Sequence, residues 1–175
     1  MLREEHLMSP TRHDRERLLR PPLPDRARGP AVVTCVDGVA EVAAVIDRHL
    51  AQCRRNRSLL ALVCVSVECV DTESGHGFVT TEVERLTHEE VMKRICSRVR
   101  GGDIVLRPDD RDACVILPGA SEEAVRRIAG RFMRALNGAY KIDDNVMQVS
   151  VHVGSAAHPL DGGQAPDLLR RATGW

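Results

Sequence analysis

Ten residues, Ser58-Leu-Leu-Ala-Leu-Val-Cys-Val-Ser-Val67, form an almost unbroken apolar run of strand length. A strand with one wet face alternates apolar and polar residues, so a run without alternation suits a central strand buried on both faces. The surrounding patterns supply the cover. Upstream, Val39, Val42, Val45, Ile46 and Leu50 recur at helical spacing behind Asp37, a residue type that caps helix N-termini. Downstream, Val83, Leu86, Val91, Ile95 and Val99 mark the inner stripe of a second helix with charge elsewhere.

Beyond this helix the period shortens. Asp-Ile-Val-Leu (103–106) and Ala-Cys-Val-Ile-Leu-Pro (113–118) read as two short strands of a hairpin, turning through Arg107-Pro-Asp-Asp-Arg111. Ser121, with Glu123 and Ala124 behind it, opens a helix that is expected to close at Gly138. Residues 145–157 alternate as a strand, and a last helix begins near Ala165. The order α-β-α-β-β-α-β-α predicts an α/β domain with a mixed sheet flanked by helices.

With 175 residues, one domain is expected. Residues 1–30 mix seven arginines with five acids and several prolines, without apolar periodicity, and are expected to be a flexible arm; the domain is placed at 31–175. Formal net charge is zero and aromatics are 2%, which excludes a general electrostatic nucleic-acid binder and an aromatic stacking platform. No run approaches a membrane span, and the N-terminus lacks the apolar core of a signal peptide. None of the six cysteines forms Cys-x-x-Cys, so buried, reduced thiols are expected rather than zinc or disulfides.

The hairpin carries the chemistry. Arg100-Gly-Gly-Asp103 is followed by five residues, then Asp109-Asp-Arg-Asp-Ala113, then an apolar strand ending in proline. This layout resembles the GGDEF family, the diguanylate cyclases that condense two GTP into cyclic di-GMP. In that family an Arg-x-x-Asp turn precedes the Gly-Gly-Asp/Glu-Glu-Phe hairpin by the same interval. Val149-Ser-Val-His-Val-Gly-Ser-Ala-Ala157 and Leu168-Leu-Arg-Arg-Ala172 are similar to later family segments. The resemblance spans roughly Asp37 to Ala172. It implies a GGDEF-type domain with a central mixed, mainly antiparallel sheet flanked by helices, ending short of the family's last helix and strand. It also implies a bacterial, cytoplasmic setting.

The resemblance breaks at the catalytic positions. The family's two glycines let backbone N–H groups approach phosphates; Asp109 and Asp110 stand there and add bulk and negative charge. The next position, a metal-binding acid in the family, is Arg111, which cannot ligate a cation. Of the family's Asp-x-Asp at the end of the first strand, Ser66 and Glu68 offer one acid, and the guanine-reading Asn-Asp is absent from residues 69–77. These losses lead us to expect no cyclase activity, no metal and no cofactor. Glu68, Asp109, Asp110 and Asp112 as an alternative acidic metal site is the weaker reading beside a solvated turn balanced by Arg107 and Arg111.

What the resemblance leaves intact is the Arg-x-x-Asp turn, the family's inhibitory product site. Arg100 would donate to phosphate or guanine, and Asp103 would accept from guanine N–H groups. The ungapped alignment puts Arg131 at the family's third arginine, with Arg134 on the same helix face. The expectation is a non-catalytic cyclic di-GMP receptor with a protein partner or self-association. The alternatives are an interaction scaffold that binds no nucleotide and, remotely, an active diguanylate cyclase.

Overall fold

The computed structural model describes residues 33–71 and 81–173. The proposed arm at 1–30 and the loop holding Gly75 and His76 lie outside these residues. Along the chain run β1 (Val33–Cys35), α1 (Gly38–Asn56), β2 (Leu60–Asp71), α2 (Thr81–Cys96), β3 (Ile104–Arg107) and β4 (Asp112–Pro118). They are followed by α3 (Glu122–Leu136), β5 (Gly138–Ile142), β6 (Asn145–His158) and α4 (Ala165–Thr173). One six-stranded sheet has the order β1-β3-β4-β2-β6-β5. Only β1 and β3 pair in parallel; the remaining pairs are antiparallel. The mixed, mainly antiparallel sheet flanked by helices is the architecture expected from the sequence.

The apolar run owes its lack of alternation to its place between two cores. Ala61, Val63, Val65 and Val67 pack on one side of β2 with Val91 and Ile95 of α2 and Val125, Phe132 and Leu136 of α3. Leu60, Leu62 and Cys64 face the other side, against Val42, Ile46 and Leu50 of α1 and Leu168 and Ala172 of α4. Side chains alternate faces along a strand, so both sets must be apolar when both faces are covered. Burying each of these leucines and isoleucines contributes about 1.5–3 kcal/mol.

Two strands were not foreseen. β1 is three residues long, and β5 begins at Gly138, where the sequence suggested a helix stop. The helix α3 ends at Leu136 instead. Asn137 is extended, its Nδ2 donating to the Met133 carbonyl (2.6 Å) and its Oδ1 accepting from Val151 N–H (3.0 Å). Gly138, with φ of 127°, then turns the chain into the sheet. Ser121 does cap α3, accepting from Ala124 N–H at 3.3 Å. Asp37 does not cap α1 with its side chain; Glu41 reaches back to accept from the Asp37 N–H at 2.6 Å. Among the described cysteines all are free, but the expectation of burial fails at Cys35, which is exposed on the edge strand.

Candidate functional site

The hairpin turn is closed on itself. The Asp109 carboxylate accepts from the backbone N–H groups of Arg111 and Asp112, both at 2.8 Å. Arg107 donates through Nε to the Asp109 carbonyl (3.1 Å) and through a terminal nitrogen to Asp110 (2.8 Å). The balance expected from Arg111 goes elsewhere: its guanidinium pairs with Glu84 on α2 at 3.0 Å. The backbone donors that a glycine turn would present to an anion are therefore occupied by a carboxylate of the turn itself.

Behind the turn, the β2–β4 and β2–β6 registers set Asp112, Ser66 and His152 side by side, with Glu68 one step along β2. Glu68 and His152 are both exposed and stand 3.9 Å apart. Asp112 is half-buried. Burial pushes its carboxyl above the usual carboxylate range, the Ser66 hydroxyl opposes that by hydrogen bonding, and the Asp109 charge adds to it. Among the described residues, no group of three or more His, Cys, Asp or Glu is gathered around a common point where a metal ion would sit. Ser66, Asp112 and His152 line a cleft of about 880 Å³ whose other walls are largely apolar, including Val42, Cys64, Cys114 and Leu169.

Between β2 and α2, a Cys–His contact was not anticipated. Cys69 Sγ lies 3.4 Å from His88 Nε2. Burial, with a further push from Glu84, raises the thiol to about 11, and burial lowers the imidazole. Both shifts favour neutral partners, the opposite of an activated thiolate–imidazolium pair.

The Arg100–Asp103 turn lies at the other end of the hairpin. Asp103 N–H bonds to the Arg100 carbonyl (2.9 Å), and Asp103 Oδ2 accepts from the Arg100 N–H (2.8 Å). Asp103 is 7% exposed, so its carboxylate fixes the turn from inside while the Arg100 side chain stands in solvent. Arg131 crosses from α3 to donate to the Arg98 carbonyl at 2.9 Å, which brings α3 beside the turn. Exposed Arg134 lies one helical turn on from Arg131, its guanidinium near Gly130.

Sequence reasoning missed two neighbours. Arg98 donates to the Arg94 carbonyl (3.1 Å) and to Ser97 Oγ (3.0 Å), and Arg94 stacks 3.8 Å from the Tyr140 ring centroid. Helical spacing alone gives i, i+4 arginines no special mark; the contact of Arg131 with the Arg98 carbonyl appears only once α3 packs beside the end of α2. Among the described residues, none of Arg94, Arg98, Arg100, Arg131 and Arg134 forms an ion pair, and the same holds for Arg48, Arg54, Arg55 and Arg57 on and just after α1, whereas Arg85, Arg107, Arg111, Arg126 and Arg127 all do.

The family described as "Diguanylate cyclase, GGDEF domain" matches residues 85–174. Comparison with curated proteins finds no match. Among solved structures, the isolated GGDEF domain of TpbB (YfiN) from Pseudomonas aeruginosa superposes with a TM-score of 0.61 and 18% identity, covering 79% of this chain and 80% of that one. The active GGEEF domain of a Vibrio cholerae diguanylate cyclase gives 0.62 and 12%, covering 79% and 86%. The diguanylate cyclase SiaD from Pseudomonas aeruginosa, solved in complex with its activator SiaC, gives 0.59 and 13%, covering 77% of this chain and 51% of that chain. At these identities the likeness establishes the fold.

Proposed function

Because the chain belongs to the GGDEF family, we propose that it is a non-cyclising member that binds cyclic di-GMP on the arginine face beside the Arg100–Asp103 turn. The observation that carries this reading is the contact of Arg131 with the Arg98 carbonyl at 2.9 Å, which sets an α3 arginine beside the Arg100–Asp103 turn, with Arg94, Arg98, Arg100, Arg131 and Arg134 all without a carboxylate partner among the described residues. Guanidinium forks suit phosphate and the guanine edge. The ligand's two phosphates would lie across Arg100 and Arg131, and Arg94 and Arg98 would add long-range attraction. Asp103 acts from inside the turn, setting the Arg100 backbone and through it the direction of the guanidinium. Occupancy would be passed on through a protein partner or a second copy of the chain; SiaD, solved with its activator, is a fold relative engaged by a protein.

The lack of cyclase activity rests on the hairpin. GTP condensation in this family uses a divalent cation and a backbone cradle for phosphate. The residues present do not fit that cation: Arg111 is bound to Glu84, Asp109 is committed to two backbone N–H groups, and Asp112 is half-buried. A polyanion approaching the turn meets Asp109 and Asp110 first.

The test is a pair of measurements on one preparation. Incubation with GTP and Mg²⁺ or Mn²⁺, followed by mass detection of product, is expected to give no cyclic di-GMP. Thermal melting is expected to rise with added cyclic di-GMP and not with GTP at equal concentration. Product formation would sink the first half of the reading, and an unmoved melting temperature the second. The scaffold reading would then take over.

A further inference from the structure

Cys64 and Cys114 are 50 positions apart in sequence, yet the β2–β4 register sets them directly opposite each other. Their sulfur atoms lie 3.8 Å apart. Opposed residues of antiparallel strands have Cα atoms about 4.5–5.5 Å apart, within the roughly 4.4–6.8 Å that a disulfide spans. Joining these two sulfurs thus requires side-chain rotation rather than backbone movement. Both residues line the apolar cleft, Cys64 at 9% exposure and Cys114 at 3%. A small oxidant can enter a cleft of this size.

The other cysteines lack this arrangement. Cys69 is on the opposite face of β2, against His88, and its cross-strand partner on β6 is Val149. Cys53 donates to the Leu59 carbonyl. Cys35 is exposed, with Arg107 opposite it in the sheet.

We propose that Cys64 and Cys114 form an oxidation site, a dithiol that hydrogen peroxide converts to a reversible disulfide tying β2 to β4 across the cleft floor. Cys64, the more exposed, attacks as thiolate; its sulfur bonds to one peroxide oxygen, the O–O bond breaks and hydroxide leaves. The resulting sulfenic acid is attacked at sulfur by Cys114, which gives up its proton as the S–O bond breaks and water departs. Two thiols and one peroxide become one disulfide and two waters, with two electrons passing from sulfur to oxygen. In the reduced state, the hydrogen bond with Cys64 and burial hold the Cys114 thiol well above its ordinary value, so Cys114 rests as a thiol until oxidant arrives. The tie would lie beside the Ser66–Asp112 pair and depends on the fold alone, whatever binds the arginine face.

The full chain would be treated with hydrogen peroxide, remaining thiols blocked with iodoacetamide, and the tryptic peptides mapped. The expected product joins the peptide after Arg57, which carries Cys64 and Cys69, to the peptide after Arg111, which carries Cys114. It is lighter by about 2 Da than the sum of the two peptides. The link persists in Cys69→Ser, disappears in Cys64→Ser, and is accompanied by a melting rise on the order of 10 °C that dithiothreitol reverses. Cys64 and Cys114 both alkylated after Cys35 has been oxidised would overturn the proposal, as would a link lost in Cys69→Ser or an unchanged melting temperature. Wild type and Cys69→Ser decide the matter if Cys64→Ser does not fold.

Discussion

Gly154 is where β6 meets the last helix, and replacing it with alanine gives a sharp test of the packing. A Cβ built there would stand 1.7 Å from the Ala172 carbonyl oxygen and 2.7 Å from its carbon. These are backbone atoms of α4, so no rotamer change relieves the clash; the helix must retreat by about 1.5 Å or more to regain van der Waals distance. Such a retreat loosens Ala165, Leu168 and Ala172, all buried against β2 and α1. Overpacking costs about 1–3 kcal/mol, and losing the burial of one leucine costs about 2–5. Gly154→Ala is therefore expected to destabilise by about 2–4 kcal/mol, a large share of the ~5–15 kcal/mol typical of a domain. Urea unfolding followed by circular dichroism should show a lower midpoint at unchanged slope. Truncating Ala172 to glycine in the same chain should not restore the loss, because the obstacle is the carbonyl. A change below about 0.5 kcal/mol in Gly154→Ala would refute the close approach of α4 to the sheet.

Other expectations follow from single contacts. Burial depresses His88 in the folded chain, so the unfolded chain takes up a proton first as pH falls through its ordinary value of 6.5. Stability present above that pH should decline below it, and His88→Gln should flatten the decline in melting scans between pH 7 and 5. Asp112 has the opposite sense: its raised carboxyl favours the fold at pH below the ordinary 3.8, and that contribution is lost as pH rises through the folded value. Asp112→Asn should accordingly raise the melting temperature at pH 7, and a drop would show that its ionised form is needed. Ser121→Ala removes the α3 cap and should cost about 1 kcal/mol in urea unfolding; no change would mean that the 3.3 Å contact contributes nothing.

The sequence showed most clearly what depends on local period. The doubly covered β2, the hairpin and the two long amphipathic helices all follow from it. Short or composite elements were hidden for physical reasons. β1 has only three residues, and its pairing comes from β3, some seventy positions away. β5 was obscured by Gly138, a residue that ends helices and here starts a strand through its positive φ. The turn Arg100–Asp103 was legible as a motif, but the division of labour within it was not: spacing cannot say that Asp103 turns inward to its neighbour's N–H. The same holds for Asp109, which reads as bulk and charge and proves to be the turn's own anion. Arg94 and Arg98 look like an ordinary solvated face until α3 packs beside them. Cys64 and Cys114 become neighbours only through strand register, which no linear spacing records.

Binding at the arginine face is tested most directly by isothermal titration of cyclic di-GMP into the purified chain, beside an Arg100→Ala, Arg131→Ala variant. Neither side chain packs in the core, and both are exposed, so the variant should keep its fold. The account predicts a dissociation constant in the micromolar range or tighter, weakening as salt rises, and at least tenfold weaker binding in the variant. No heat at high ligand concentration, or equal affinity in both proteins, would contradict it.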